Sequence, residues 1–347
     1  MSNARATHLT RRGILAAGSA LGLGAVLAAC GDDDAKNGGS DDATTAAKSG
    51  PWAFKDDRGT TVKLDKVPSK IVAFVGVAAA LHDYGIEVKG VFGPTKTQDG
   101  KADVQAGDMD ISKLTVFGNV WDQFNVEEYA AFAPEVLIST TFDSAGTLWY
   151  VPEASKDKIA KLAPSAAISV YDRQITQPLQ KMWELAESLG ADMKADKVAQ
   201  SKKDFEAAAE RLRKAAKARP EIKVLAGSAS QDLFYVSGTN LSIDLEYFKA
   251  LGVKFVEPPE SAKDDGGWYE SLSWENVDKY PADIIMMDDR SSTIQPADIT
   301  ETTWKKLPAV KAGQVIARSP EPILSYDKCT PLLTSLAEAI EKAKKVA

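Results

Sequence analysis

Hydrophobic and polar positions change their period several times along this chain, and each change predicts an element. The longest regular pattern lies at residues 177–219. Over 177–190, Leu179, Met182, Trp183, Ala186 and Leu189 recur at the three- and four-residue steps of one helix face, and Gly190 follows as a C-terminal cap. A second run opens at Asp192 or Asp196 and carries Val198, Phe205, Ala209, Leu212 and Ala216 on one face. Glu210, four residues before Lys214, supports it, and Arg219-Pro220 ends it because the residue before a proline is pushed out of helical geometry. At about 1.5 Å per residue the second run spans roughly 35–40 Å, the width of a small domain. The pattern fits either a connector between two lobes or a surface helix pair within one.

On either side the period shortens and alternates. Residues 52–64 read as a hairpin, with Trp52, Phe54, Val62 and Leu64 flanking the turn Asp56-Asp57-Arg58-Gly59. Then come strand 71–74, a helix through 78–81 closed by Gly85, and strand 88–92. An irregular polar stretch follows at 94–114, then helix 125–132, strand 136–139, helix 156–162 and strand 167–170. Strand and helix in turn are the signature of a parallel α/β unit. After residue 220 the alternation resumes. Strands are predicted at 222–226, 233–236, 253–256 and 283–287, with Gly227-Ser228-Ala229-Ser230 as a loop. Helix 242–251, a short helix capped by Ser273 and a closing helix at 331–344 complete this half. Asn276-Val277 before Tyr280 and Pro281 echoes Asn125-Val126 before Tyr129 and Pro134, which suggests two lobes of like build.

The order and spacing of several motifs resemble one family. They are Phe54 to Val62, Pro68-Ser69-Lys70-Ile71-Val72-Ala73, and Asn125-Val126-Glu127 running on to Ala133-Pro134-Glu135 and the strand at 136–138. Trp304 with Leu307-Pro308 and Gly313-Gln314-Val315 continues them. Together they resemble the ABC-transporter substrate-binding proteins for iron-siderophores, haem and vitamin B12. That resemblance implies an α/β fold of two lobes, each a mainly parallel sheet flanked by helices, joined by one long rigid helix. It divides the chain into an N-terminal lobe at 51–174, a helical connector at 175–219 and a C-terminal lobe at 220–347. It also implies a ligand in the cleft, a partner permease with its ATPase, and a surface glutamate on each lobe that docks on the permease. Glu127 matches the first such position; for the second, Glu301 is the nearest acid, because Lys305 and Lys306 follow Trp304.

The first 50 residues carry a different message. Arg11-Arg12 precede an apolar segment that ends in Leu27-Ala28-Ala29-Cys30, the form of a bacterial lipoprotein signal whose cysteine takes a lipid. Residues 1–29 are therefore expected to be removed, leaving a lipid anchor on Cys30 and a solvated tether at 30–50. The paired arginines fit twin-arginine export as well as general export. Loss of Arg5, Arg11 and Arg12 would take the net charge from −7 to about −10. An acidic body excludes nucleic acid as a partner and disfavours broad contact with anionic lipid. The expected location is the outer face of the cytoplasmic membrane of a Gram-positive bacterium, as a monomer.

Composition narrows the chemistry further. The chain has two histidines, His8 and His82, so an imidazole metal site is excluded. It shows no phosphate-cradling glycine loop and no Gly-x-Ser-x-Gly elbow, and Cys329 lacks an evident activating base. No cofactor and no enzymatic activity are expected; a secreted envelope hydrolase is the alternative from another class. Aromatics in loops beside strands are the better signal, since α/β lobes place ligand contacts there. In the first half these are Trp121, Phe142, Trp149 and Tyr150. In the second they are Tyr235, Trp268, Tyr269 and Tyr326, with Trp268 and Tyr269 on the polar loop after Asp264. Arg290, directly after the strand at 283–287, suits the oxygens of a chelate or a pairing with Asp288 and Asp289. The expected cargo is a ferric siderophore, with haem or a corrinoid as alternatives on the same scaffold.

Overall fold

The computed structural model describes residues 50–264 and 266–347. The expected signal segment, Cys30 and the tether up to residue 49 lie outside them. The described part opens with the hairpin β1 (Trp52–Lys55) and β2 (Thr61–Leu64), antiparallel with Trp52 opposite Leu64 and Phe54 opposite Val62. Asp56 builds its turn by accepting the backbone N–H of Arg58 at 3.0 Å and of Thr60 at 2.9 Å. Its other oxygen accepts the N–H of Ala167, which pins the hairpin to the first sheet.

That sheet contains β3 (Ile71–Phe74), β4 (Gly90–Phe92), β5 (Thr115–Val116), β6 (Val136–Thr141) and β7 (Ser165–Ser169), all parallel, in the order β5-β4-β3-β6-β7. Helices α1 (Val75–Asp83), α2 (Val126–Phe132) and α3 (Lys156–Leu162) connect its strands. All six residues of β6 are buried, as a strand covered on both faces requires. The strand order reverses between β3 and β6. At such a point the connections leave in opposite directions and open a crevice at the carboxyl ends of the strands.

Helix α4 (Thr176–Ser188) packs on α1, β1 and β7, whereas α5 (Asp196–Ala218) runs on toward the second half. Its 23 residues give a rod of about 35 Å. The second sheet consists of β8 (Lys223–Ala229), β9 (Leu233–Ser237), β10 (Lys254–Phe255), β11 (Tyr269–Ser273), β12 (Ile284–Asp288) and β13 (Val315–Arg318). Its order is β11-β9-β8-β12-β13, with β10 beside the start of β8. Helices α6 (Ile243–Ala250), α7 (Thr302–Lys306), α8 (Pro308–Lys311) and α9 (Tyr326–Lys342) complete it.

Helix α9 changes the picture of a single connecting helix. At its start the backbone N–H of Tyr326 meets the Tyr84 hydroxyl of the first half. At its end Arg219 donates to the carbonyls of Glu341 and Ala343, beside β8. Phe205 of α5 contacts Tyr326, and Arg211 of α5 pairs with Glu338 and Glu341, so the two helices run side by side in one direction. Two packed helices resist bending better than one, because bending must also shear their apolar interface.

Several elements differ from the pattern's prediction. Gly227, Ser228 and Ala229 belong to β8 and pair with Val236, Tyr235 and Phe234. A side chain at Gly227 would meet the Phe234 ring and the Tyr235 carbonyl at 2.7 Å, so glycine here marks a close approach rather than a loop. The second sheet is mainly parallel, as expected, but β9 is antiparallel to both β8 and β11. The counterpart of α2 is only a 3-10 turn at Trp274–Asn276, and the Ser273 hydroxyl accepts from the Asn276 side chain instead of capping the backbone. Helix α9 starts five residues before Pro331, because Ser325 caps it by accepting the N–H of Lys328.

Candidate functional site

Parallel strands deliver their carboxyl ends to one edge of a sheet, and here those edges line a cavity of about 730 Å³. Strand β6 hands on to Phe142 and the loop 147–153; β8, β12 and β13 contribute Ser228, Asp288 and Arg318.

The wall from the first half is aromatic. Trp149 lies 4.5 Å from Phe142 and 4.6 Å from Trp121 between ring centroids, and Trp121 meets Tyr150 edge-on at 5.1 Å. The loop is fastened to β6: the Trp149 N–H donates to the Thr140 carbonyl at 2.9 Å, and the Ser139 hydroxyl donates to the Trp149 carbonyl at 2.9 Å. Asp122 and Tyr150 hold φ of 62° and 58°, a left-handed conformation that costs a side-chain-bearing residue about 1–2 kcal/mol. Two such residues in one wall mean that the rings are held in place by their surroundings, not by local preference. Burial, with the nearby Glu321 charge, pushes the Tyr150 phenol up to about 12, so it stays protonated at neutral pH. Asp143 accepts the Thr147 N–H at 3.0 Å; burial works against its charge, but this donor set outweighs it and holds its carboxyl below the ordinary value.

The opposite wall is built from ion pairs. Arg318, 4 % exposed, forks onto Asp244 at 2.8 and 2.9 Å and reaches Ser237 at 3.2 Å. Arg290 forks onto Asp288 and pairs with Glu321 through Nη1. Burial opposes its charge, yet the Asp288 and Glu321 carboxylates more than offset this and hold its pKa above the ordinary value. Tyr269, the first residue of β11, meets Tyr235 edge-on at 5.1 Å. Trp268 is likewise anchored, its N–H on Asp264 at 2.8 Å and its carbonyl accepting from Gly238. These two residues belong to a paired edge, not to a loose polar loop. Phe142 and Trp268 approach to 6.3 Å across the cleft.

Of the aromatic candidates, Trp121, Phe142, Trp149, Tyr150, Tyr235, Trp268 and Tyr269 line this cavity together with Arg290. Tyr326 does not. It opens α9, where its ring packs on Trp183 and Phe205 under the Lys202 ammonium. Glu127 is exposed in the first turn of α2, and Glu301, half-buried, precedes α7; neither lines the cavity. His82 is exposed on α1, and Cys329 is fully buried, which pushes its thiol pKa up. Asp83, Asp108 and Asp327 lie close together, but the Lys328 ammonium sits on Asp108 at 2.6 Å and near Asp327 at 3.7 Å. Pattern reading passed over Asp122, Asp143, Arg318 and Glu321, all in the lining, while Asp288 stands there as the partner the sequence offered for Arg290. For two of them a signal existed: Arg318 ends a strand just as Asp288 does, and Glu321 stands between Pro320 and Pro322.

A deep aromatic cleft between two α/β sheets, spanned by paired helices, defines a two-lobed solute-binding protein. The chain belongs to the periplasmic binding protein family, whose model matches residues 75–322. It is 27 % identical over 325 residues, 90 % of this chain and 92 % of the relative, to the iron(3+)-hydroxamate-binding protein FhuD of Bacillus subtilis. The crystal structure of DesE, a ferric-siderophore receptor protein from Streptomyces coelicolor, is 80 % identical, with a TM-score of 0.84 over 85 % of this chain and all of that one. The petrobactin-binding protein YclQ of Bacillus subtilis shares the fold at 18 % identity, with a TM-score of 0.63 over 84 % of this chain and 99 % of its own. Among the described residues no helix is long and apolar enough to cross a membrane.

Proposed function

We propose that this protein is the substrate-binding component of an ABC importer and that it carries a ferric siderophore in its cleft. The observation that carries this reading is the cavity itself. Its volume of about 730 Å³ suits a whole chelate, one wall offers rings to an organic skeleton, and the other offers N–H and O–H donors to metal-bound oxygens. Trp121, Phe142, Trp149 and Trp268 cover the skeleton; Arg290, Tyr150, Tyr235 and Tyr269 meet the oxygens. The descriptions of DesE and FhuD as ferric-siderophore and iron(3+)-hydroxamate proteins support it.

The charges narrow the cargo. Both lining arginines are matched by carboxylates, and Asp122 and Asp143 add further negative charge, while Glu153 is paired with Lys156. A site with no spare positive charge favours a neutral or cationic chelate. Three hydroxamates cancel the charge of iron(III), whereas three catecholates leave −3. The descriptions of the relatives favour a ferric siderophore over haem or a corrinoid.

In this reading the mature protein is a monomer, held by a lipid on Cys30 to the outer face of the cytoplasmic membrane of a Gram-positive bacterium. Residues 51–174 and 220–347 act as the two lobes, and Glu127 and Glu301 meet the permease. Titration of intrinsic tryptophan fluorescence with ferric trihydroxamates, a ferric tris-catecholate, haem and cobalamin tests it. Saturable quenching by a trihydroxamate is expected, and no quenching by any ferric chelate would sink the proposal. Mass spectrometry of the protein from membranes should find a diacylglyceryl Cys30.

A further inference from the structure

We propose that Glu321 sets the charge of the chelate this cavity accepts, by giving the Arg290–Asp288 pair a net negative charge while leaving hydrogen-bond donors of Arg290 in place. The inference rests on the ferric-chelate reading above. The Arg290 side chain lines the cleft and is 32 % exposed, whereas Arg318 is sealed at 4 %. A guanidinium has five N–H donors. Nε donates to Asp288 at 3.1 Å, Nη2 to Asp288 at 2.6 Å and Nη1 to Glu321, which leaves one N–H on each terminal nitrogen for a ligand.

The two carboxylates have different standing. Asp288 also accepts the Arg290 backbone N–H at 3.0 Å, so it builds the turn that carries the arginine. Glu321 comes from another segment, between β13 and α9, where Pro320 and Pro322 restrict the backbone on both sides. Its side chain is 8 % exposed, and its second oxygen accepts Trp149 Nε1 and Gln105 Nε2, each at 3.1 Å. Both donors come from the first half of the molecule. The carboxylate is thus supplied to Arg290 from outside its own turn and is held by three donors.

With both carboxylates the cluster carries −1; with Glu321 neutral it carries none. Coulomb energy scales with the product of the charges. Losing one negative charge therefore helps a chelate of charge −3 strongly, leaves a neutral one nearly untouched and hinders one of charge +1.

The test uses the full chain and three iron(III) chelates: a linear trihydroxamate with a free ammonium, a neutral cyclic trihydroxamate and a tris-catecholate of charge −3. Dissociation constants are measured for the native protein, Glu321→Gln, Glu321→Met, Glu321→Asp and Gln105→Met, with melting curves to confirm folding. The native protein is expected to disfavour the tris-catecholate. Both neutral variants should narrow the gap between the tris-catecholate and the neutral trihydroxamate by about tenfold or more. Glu321→Asp keeps the charge and should keep the native ratio, even where all affinities fall. Gln105→Met loosens the tie between the halves without changing charge, and should weaken all three chelates by one common factor. If the neutral variants also shift all three by one factor, Glu321 is only a tie and the inference is overturned. If the native protein binds none of them, the ferric-chelate reading falls as well, so the two failures are distinguishable.

Discussion

The two walls of the cleft reach rigidity by opposite means. The first is made of rings: Trp149 packs on Phe142, Trp121 and Tyr150, and its shape is held by packing and by two residues in left-handed backbone geometry. The second is made of charges: Arg318 on Asp244, and Arg290 on Asp288 and Glu321. Ring packing discriminates by shape and tolerates any charge, while a matched ion-pair network discriminates by charge. A cleft with one wall of each kind can grip the skeleton of a ligand and test its net charge separately.

The largest effect should come from opening an ion pair on the second wall. Asp244→Ala leaves Arg318 buried with only Ser237 beside it, and should cost about 3–5 kcal/mol, read as a fall in Tm of roughly 10 °C. Asp143→Ala on the first wall removes only a loop contact and should cost about 1 kcal/mol or less. Equal losses would erase the contrast between the walls. Next, Trp149→Ala removes a central ring and its bond to Glu321; ligand affinity should fall by about 2–3 kcal/mol for chelates of every charge. Loss confined to one charge class would show that this wall does not read shape. Arg290→Ala should weaken a ferric trihydroxamate by about 1.5–2 kcal/mol, whereas Lys306→Ala on α7 should leave it within about 0.5 kcal/mol. Equal effects would remove Arg290 from the site.

The smallest effects concern pH, and they have opposite sign in the two halves. Glu135, in the first, accepts the backbone N–H of Lys70 and of Ser69, which hold its carboxyl down to about 2. A depressed carboxyl contributes stability above its unfolded value near 4.5 and loses it as pH falls toward 2. Asp289, in the second, is pushed up by burial against the pull of the Ser319 hydroxyl. It favours the fold below its ordinary 3.8 and loses that contribution as pH rises through its raised value. Glu135→Gln should therefore lower Tm at pH 7 more than at pH 3, while Asp289→Asn should raise it at pH 7 more than at pH 3. About 1 kcal/mol is expected from each, Glu135 being partly screened by solvent and the burial of Asp289 being opposed by its Ser319 hydrogen bond. Matching signs would show that one of these carboxylates is misjudged.

Much of this was legible in the chain because the relevant physics is local. Short apolar runs at 71–74 and 136–139, the Asp56 turn and the three- and four-residue steps from Leu179 to Leu212 specify strands, a hairpin and helices without distant partners. The loop aromatics were found by the same logic, since an α/β unit puts its carboxyl-end loops at the ligand. Illegible were the places where a distant partner overrides local preference. Gly227 reads as a loop until Phe234 is seen above it, and Tyr326 reads as a loop aromatic until Ser325 caps the helix it opens.

The sequence by itself determined the α/β alternation, the long helix α5 and a set of aromatics bound for one edge, because periodicity and turn chemistry act within a few residues. Only the tertiary structure decided that α9 runs beside α5, that Tyr326 belongs to their seam, and that Glu321 closes on Arg290 and Trp149. The reason is physical. The charge at Arg290 depends on a carboxylate 31 positions away and a ring 172 positions from that carboxylate, and nothing in the local pattern brings such groups together. Closure of the chain on itself does.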